Sequence, residues 1–250
     1  MYKVHAATNS SRKRRMRRNL IYHIYPTCHP WGGDMWRWNV DQLRKSYSQF
    51  DRIVFSIALD EKTETEEEVR KHLGIQNAEF LVRANKPTWE TETLIEKLAM
   101  VQSIRNDEIT FYGHTKGSSR EPFYWDNVKA WTGAMYLFNL GNQGIIDKIL
   151  HEQPDPLGAR SAVGCFRTDW PNHGGSNWHF AGNFWWVKNS ALFSQAWQSY
   201  EPTNLGAEGY IGRHIAKEMA VCLYKTDVDP YLTKLDEEKY RAEFQRTWGS

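Results

Sequence analysis

The chain has 250 residues, 40% hydrophobic and 25% charged, with a formal net charge of +2. That balance suits a globular protein with a sizeable core and argues against a binder of duplex nucleic acid, which shows a basic face across its whole domain. No apolar run approaches the roughly 20 residues needed to span a bilayer, and the N-terminus lacks the apolar core of a signal peptide.

Residues 1 to 19 are polar and basic and read as a flexible arm, its charge concentrated in Arg12 to Arg18. Such a run serves as a solubilising tail, or meets an anionic membrane surface or a nucleic acid. Leu20 to Tyr25 reads as a buried strand ended by Pro26, followed by a loop from Thr27 to Gly33. A helix is expected over Trp36 to Phe50, a strand over Arg52 to Leu59 ending at Asp60, and an acidic helix over Glu64 to Leu73. Glu79 to Arg83 is a third strand, Thr91 to Ile104 an amphipathic helix, and Ile109 to Tyr112 a fourth strand. Helices follow over Trp125 to Leu140 and Ile145 to Leu150, then a strand over Ser161 to Phe166 and a turn over Gly174 to Ser176. His179 to Val187 alternates like one strand, and Ser190 to Tyr200 reads as a helix. Glu208 to Leu223 reads as a helix or a helix plus a strand, and the last 25 residues as a polar surface cover.

The alternation of strands and helices in the first half predicts an α/β fold, with a mostly parallel central sheet and helices on both faces. With no repeat and no linker, residues 20 to 250 read as one domain. Ligands of such sheets bind at the carboxyl ends of the strands, where Tyr25-Pro26, Asp60 and His114 to Gly117 are expected to converge. Cys28, Cys165 and Cys222 are odd in number and lack CxxC spacing, so a disulfide framework or cysteine zinc site is not expected, and a reducing, cytoplasmic setting is.

Three segments carry chemistry. His114-Thr115-Lys116-Gly117 ends a strand between glycines. Lys116 is a compact cation suited to phosphate, and His114 can donate a hydrogen bond or bind a metal. The plain alternative is a polar turn with a surface lysine; the segment is not a Walker A loop. Asn177 to Trp186 interleaves His179, Gly182 and Asn183 with aromatic residues up to Trp185 and Trp186, which is the make-up of a small-ligand pocket or of core packing with a turn. Glu208, set among glycines before a helix, is either a helix N-terminal acid or a general base, with Asp169 the competing carboxylate. GxSxG and HExxH are absent, and His173 and His179 lack an obvious third zinc ligand. The twelve Trp and twelve Tyr either fill the core or stack on sugar rings and nucleobases.

Taken together, the strand leading into HTKG, the helix carrying Trp125 and Trp131, the segment WHFAGNFWW and the later glutamate in a glycine-rich stretch resemble GT-A-like glycosyltransferases of bacterial and viral polysaccharide synthesis, loosely of the rhamnan-synthesis type. The resemblance covers roughly residues 20 to 215. It implies a GT-A, Rossmann-like fold and transfer of a sugar from a nucleotide-sugar donor to a hydroxyl of a glycan acceptor. It also implies that Tyr25, Pro26 and Asp60 hold the nucleoside, that His179, Gly182, Asn183 and Trp185 line the sugar or acceptor pocket, and that Glu208 is the base. Typical members hold a divalent metal, Mn2+ or Mg2+, on the donor diphosphate through an Asp-x-Asp motif. Here His114-Thr115-Lys116 stands in about that place, while Asp227-Val228-Asp229 has the letters but lies far too late. The expectation is therefore that no metal is required and that Lys116, with His114, neutralises the diphosphate; if a metal is used, His114 is a candidate ligand. A non-catalytic glycan- or nucleotide-binding module and a nucleic-acid-binding protein acting through the basic arm are the competing readings.

Overall fold

A computed structural model of the chain describes residues 15–28, 35–151, 154–155 and 158–249. Residues 12–14 of the basic run and most of the loop after the first strand lie outside these residues. The first half runs β1 (Arg17–Ile24), α1 (Met35–Arg44), β2 (Arg52–Leu59), α2 (Glu66–Leu73), β3 (Glu79–Ala84), α3 (Trp89–Met100), β4 (Glu108–His114), α4 (Trp125–Leu140) and α5 (Gln143–His151). The second half runs β5 (Pro154–Asp155), β6 (Gly158–Ala159), β7 (Ala162–Gly164), β8 (Arg167–Thr168), β9 (His179–Phe180), β10 (Trp185–Lys188), α6 (Asn189–Phe193), α7 (Gly206–His214), β11 (Ala220–Cys222) and α8 (Glu237–Trp248).

Seven strands form one sheet in the order β11-β7-β10-β4-β1-β2-β3. β1, β2, β3 and β4 pair in parallel. β10 is antiparallel to both β4 and β7, and β11 is parallel to β7. The sheet is thus mostly parallel and Rossmann-like, as its alternating sequence predicts. Successive side chains of a strand face opposite sides, and β1 shows it. Leu20, Tyr22 and Ile24 join a cluster with Trp36, Val40, Val69, Trp131 and Phe244, while Ile21 joins Leu94, Leu98, Tyr210 and Ile211 on the other face. Both faces are therefore covered by helices, which is why the strands read as unbroken apolar runs.

Local chemistry sets the helix ends. Thr65 caps α2 in a reciprocal capping box with Glu68, and Gly74 closes it at φ 62. Among the described residues no helix is long and apolar enough to cross a membrane, and none of the three cysteines is in a disulfide.

The structure differs from the sequence expectation at definite places. β1 starts at Arg17, inside the expected arm, and Arg18 is buried with its guanidinium 2.6 Å from Asp147. The helix expected from Trp36 to Phe50 breaks after Arg44 into a short 3-10 turn, Tyr47–Gln49. The single strand expected over His179 to Val187 is two, β9 and β10, because Gly182 (φ 91) and Asn183 (φ 60) turn the chain through left-handed conformations. The helix expected over Ser190 to Tyr200 ends at Phe193. The polar C-terminus holds α8, which buries Tyr240 and Phe244, one helical turn apart, against the core.

Candidate functional site

Because β1, β2 and β4 run the same way, their carboxyl ends share one side of the sheet. β10 runs oppositely, so its start and the turn before it lie there too; β7 and β11 again end there. The segments expected to carry chemistry are brought together by this topology.

His114 is the last residue of β4, not the first of the loop. Its Nε2 donates to the Gly182 carbonyl at 3.1 Å, and its Nδ1 faces Glu90 Oε1 at 3.3 Å. The same Glu90 oxygen accepts from the Tyr112 hydroxyl at 2.8 Å and from Asn183 Nδ2 at 3.2 Å. Burial alone would raise the Glu90 carboxyl. The adjacent His114, His23 and Tyr112 outweigh it and hold the carboxyl well below the usual range. Glu90 is therefore the fixed anion that ties β4, α3 and the β9–β10 turn together. Sequence reasoning missed it, since an acid in the first turn of a helix is ordinary.

Thr115 is a strut. Its backbone N–H donates to the His23 carbonyl at 3.0 Å, and its hydroxyl accepts from the Tyr25 backbone at 2.9 Å. Gly117 sits at φ 81, and a Cβ there would lie 2.6 Å from Val128 Cγ1, so the turn admits only glycine. Lys116 turns inward and is 6% exposed. Its ammonium stands 3.3 Å from Glu208 Oε1 and lies over the rings of Trp131 and Tyr231, at 4.8 and 5.3 Å. Burial works against its charge, but Glu208 prevails, and the lysine pKa is raised.

Glu208 is in the first turn of α7. Its Oε2 is 2.7 Å from His173 Nε2. The His173 ring is stacked between Trp170, centroids 5.2 Å apart, and His179, centroids 4.1 Å apart and 14° from parallel. Burial raises the Glu208 carboxyl, but the His173 bond and Lys116 bring it down to about 2. Burial, helped by the adjacent His173, lowers His179 to about 4. His173, His179 and Glu208 line a cleft of about 540 Å3 whose walls also include Arg120, Trp131, Trp170, Gly182, Lys225 and Tyr231, and Lys116 adjoins it through its contacts with Glu208, Trp131 and Tyr231.

Asp227 and Asp229 also line this cleft. Their position late in the chain misled the sequence argument: β11, beside β7, returns the chain to the same end of the sheet.

The other expected site residues sit elsewhere. Tyr25 donates its hydroxyl to Asp60 Oδ2 at 2.7 Å, where Asn85 also donates at 2.9 Å. Burial raises the Asp60 carboxyl, yet these two bonds and the Lys62 backbone N–H hold it below its ordinary value. This small cluster lies at the ends of β1, β2 and β3 and does not line the cleft. Pro26 is buried, its carbonyl taken by the Glu64 backbone. Asn183 and Trp185 are fully buried and bonded to each other, Nε1 to Oδ1 at 2.9 Å, so they brace the turn and do not face a ligand. Asp169 is exposed, pairs with Lys217 and stands outside the cleft lining.

No family model matches the chain, and no curated protein matches it. Solved structures of similar shape include a 4-diphosphocytidyl-2C-methyl-D-erythritol synthase from Anaerococcus prevotii DSM 20548, at 9% identity and a TM-score of 0.43, covering 90% of this chain and 94% of that one. A second 4-diphosphocytidyl-2C-methyl-D-erythritol synthase is also 9% identical, with a TM-score of 0.40, covering 91% and 98%. Similarity this slight has no bearing on the chemistry of the cleft.

Proposed function

We propose that the chain is a glycosyltransferase that binds a nucleotide sugar in the Lys116–Glu208 cleft and passes the sugar to a hydroxyl of a glycan acceptor. The observation that carries the reading is Lys116, a nearly buried cation at the end of the central strand, held over two aromatic faces. Negative charge grows on the diphosphate as it leaves, and a positioned cation in a water-poor site stabilises it without having to reorganise. Arg120 and Lys225 in the walls add positive charge, and Trp131, Trp170 and Tyr231 offer flat apolar faces to a sugar or base.

Glu208 has a different part from the general base expected of it. A carboxylate brought to about 2 takes up a proton poorly at neutral pH. It is a permanent anion that sets the positions of Lys116 and His173.

The test is thermal unfolding with UDP, GDP, CDP and ADP and their sugar conjugates, followed by acceptor-dependent release of nucleoside diphosphate. A ligand at 100 times its Kd stabilises by about 2.7 kcal/mol, or roughly 5–10 °C for a chain of this size. Lys116→Met should abolish that shift while the protein stays folded by circular dichroism. If none of these nucleotides shifts the wild-type transition, the reading fails; a shift with no transfer to any glycan returns a non-catalytic binding module.

A further inference from the structure

We propose that His173, His179 and Glu208 form a binding site for a divalent transition-metal ion of the Zn2+ class. The inference is independent of sugar transfer. One donor atom from each of the three residues lies within 4.8 Å of the others. They come from three separate segments: the loop after β8, strand β9 and helix α7.

A second observation points to a ligand. His179 is 3% exposed, and its Nδ1 is buried with no hydrogen-bond partner among the described residues. Buried polar atoms are nearly always satisfied, and leaving one bare costs about 1–3 kcal/mol. An imidazole held in that state at the wall of a cleft is suited to an incoming cation.

The backbone around the cluster is built to close tolerance. A Cβ on Gly174 would lie 2.1 Å from the Leu205 carbonyl oxygen, and one on Gly209 would lie 2.4 Å from the His173 carbonyl oxygen. The turn after His173 is thus pressed directly against the start of α7, one residue from Glu208. That contact fixes His173 beside the carboxylate before any ion arrives.

The donor set selects the ion. Two imidazoles and one carboxylate suit Zn2+, and its spectroscopic substitute Co2+, whereas Mg2+ and Ca2+ take oxygen ligands. The two carboxylate oxygens are already divided: Oε1 faces Lys116, and Oε2 faces His173. In neutral His173 the Nε2 proton that faces Oε2 moves to Nδ1 of the same ring, which leaves the Nε2 lone pair for the ion. The stacked imidazole rings must turn to bring both lone pairs onto one ion. Lys116 keeps Oε1.

The experiment uses the full chain, freed of metal by a chelator and kept without nucleotide. Co2+ is titrated and visible absorption recorded, and Zn2+ affinity is measured by calorimetry. Expected are one ion per chain and a Co2+ spectrum more intense than that of the hydrated ion. His179→Ala should weaken Zn2+ binding by more than the roughly 10–100-fold that loss of even an outer partner of a metal ligand brings. The proposal is overturned if wild-type protein shows only the hydrated-ion Co2+ spectrum, a readout that depends on no variant, or if folded His179→Ala binds Zn2+ as tightly as wild type. A nucleotide shift in the presence of EDTA, measured separately, tells failure of this site from failure of the transferase reading.

Discussion

Lys97 lies in the last turn of α3 with no exposed surface, its ammonium donating to Ser56 Oγ at 2.5 Å and lying 5.4 Å from the centre of the Tyr112 ring. Burial lowers its pKa from 10.5 to about 7, against the pull of Glu90 and Glu96. The other titratable neighbours do not confuse the reading: His23, across Ser56, is lowered to about 3 by burial and by Lys97, and Glu90 stays ionised. Between about pH 7 and 10.5 the unfolded lysine holds its proton and the folded one gives it up. Stability then rises with pH, because the unfolded state binds more protons. At about 1.36 kcal/mol for each step in pKa, the charged form burdens the folded state by about 4–5 kcal/mol at pH 6 and about 2 kcal/mol at pH 9. Lys97→Met removes the titration and keeps the shape. The loss of the bond to Ser56 is a term that does not vary with pH, so it cancels when the variant is compared with itself across pH. Urea unfolding of both proteins at pH 6, 7.5 and 9 should therefore show the stability of Lys97→Met relative to wild type falling by about 2–3 kcal/mol from pH 6 to pH 9. A difference constant to within about 0.5 kcal/mol over that range, near the scatter of ordinary surface changes, would refute the reasoning.

Two further outcomes follow from the turn beside β10. Gly182→Ala places a side chain at φ 91 with its Cβ 2.6 Å from Met135 Sδ; strain and overpacking together should cost about 2–4 kcal/mol, and an unchanged melting temperature would contradict the geometry. Glu90→Gln removes the anion beside His114 and should lower stability at pH 7 by about 2–4 kcal/mol in urea unfolding. Since the Glu90 carboxyl is held below its ordinary value, that deficit should be present above the usual carboxylate pKa and shrink as the pH falls below it.

The first four strands and their helices were legible because β1, β2 and β4 are buried on both faces, β3 keeps a short apolar run at the sheet edge, and amphipathic helices separate them, so period and punctuation agreed. Agreement ended where the chain turned within an aromatic run. From Trp178 to Val187 the alternation continues through Gly182 and Asn183, and nothing in the pattern says that the strand changes sheets there. At the site, Lys116, His179 and Glu208 stood out by their glycine and aromatic surroundings, and they do come together. Glu90 and Asp227 did not stand out, nor did the meeting of Glu208 with His173 and His179. Their neighbourhood depends on strand order, and the step from β7 to β10 to β11 leaves no local mark. Trp185 and Asn183 were overread, because a residue type fit for a pocket is equally fit to brace the turn behind it.

The place of β10 has a consequence for how the molecule comes into being. Strands β1 to β4 are complete by His114, yet one edge of β4, with Ile109, Phe111 and Tyr112, finds its partner only when residues 185–188 arrive. Until then that edge is an open, apolar hydrogen-bonding ladder of the kind that recruits other chains. Late, non-local pairing is also slow. The strand that seals this edge is the one whose preceding turn presents the Gly182 carbonyl to His114. Protection of the nascent sheet from self-association and completion of the cleft are thus a single event, and a chain that has not hidden its edge has no cleft to fill.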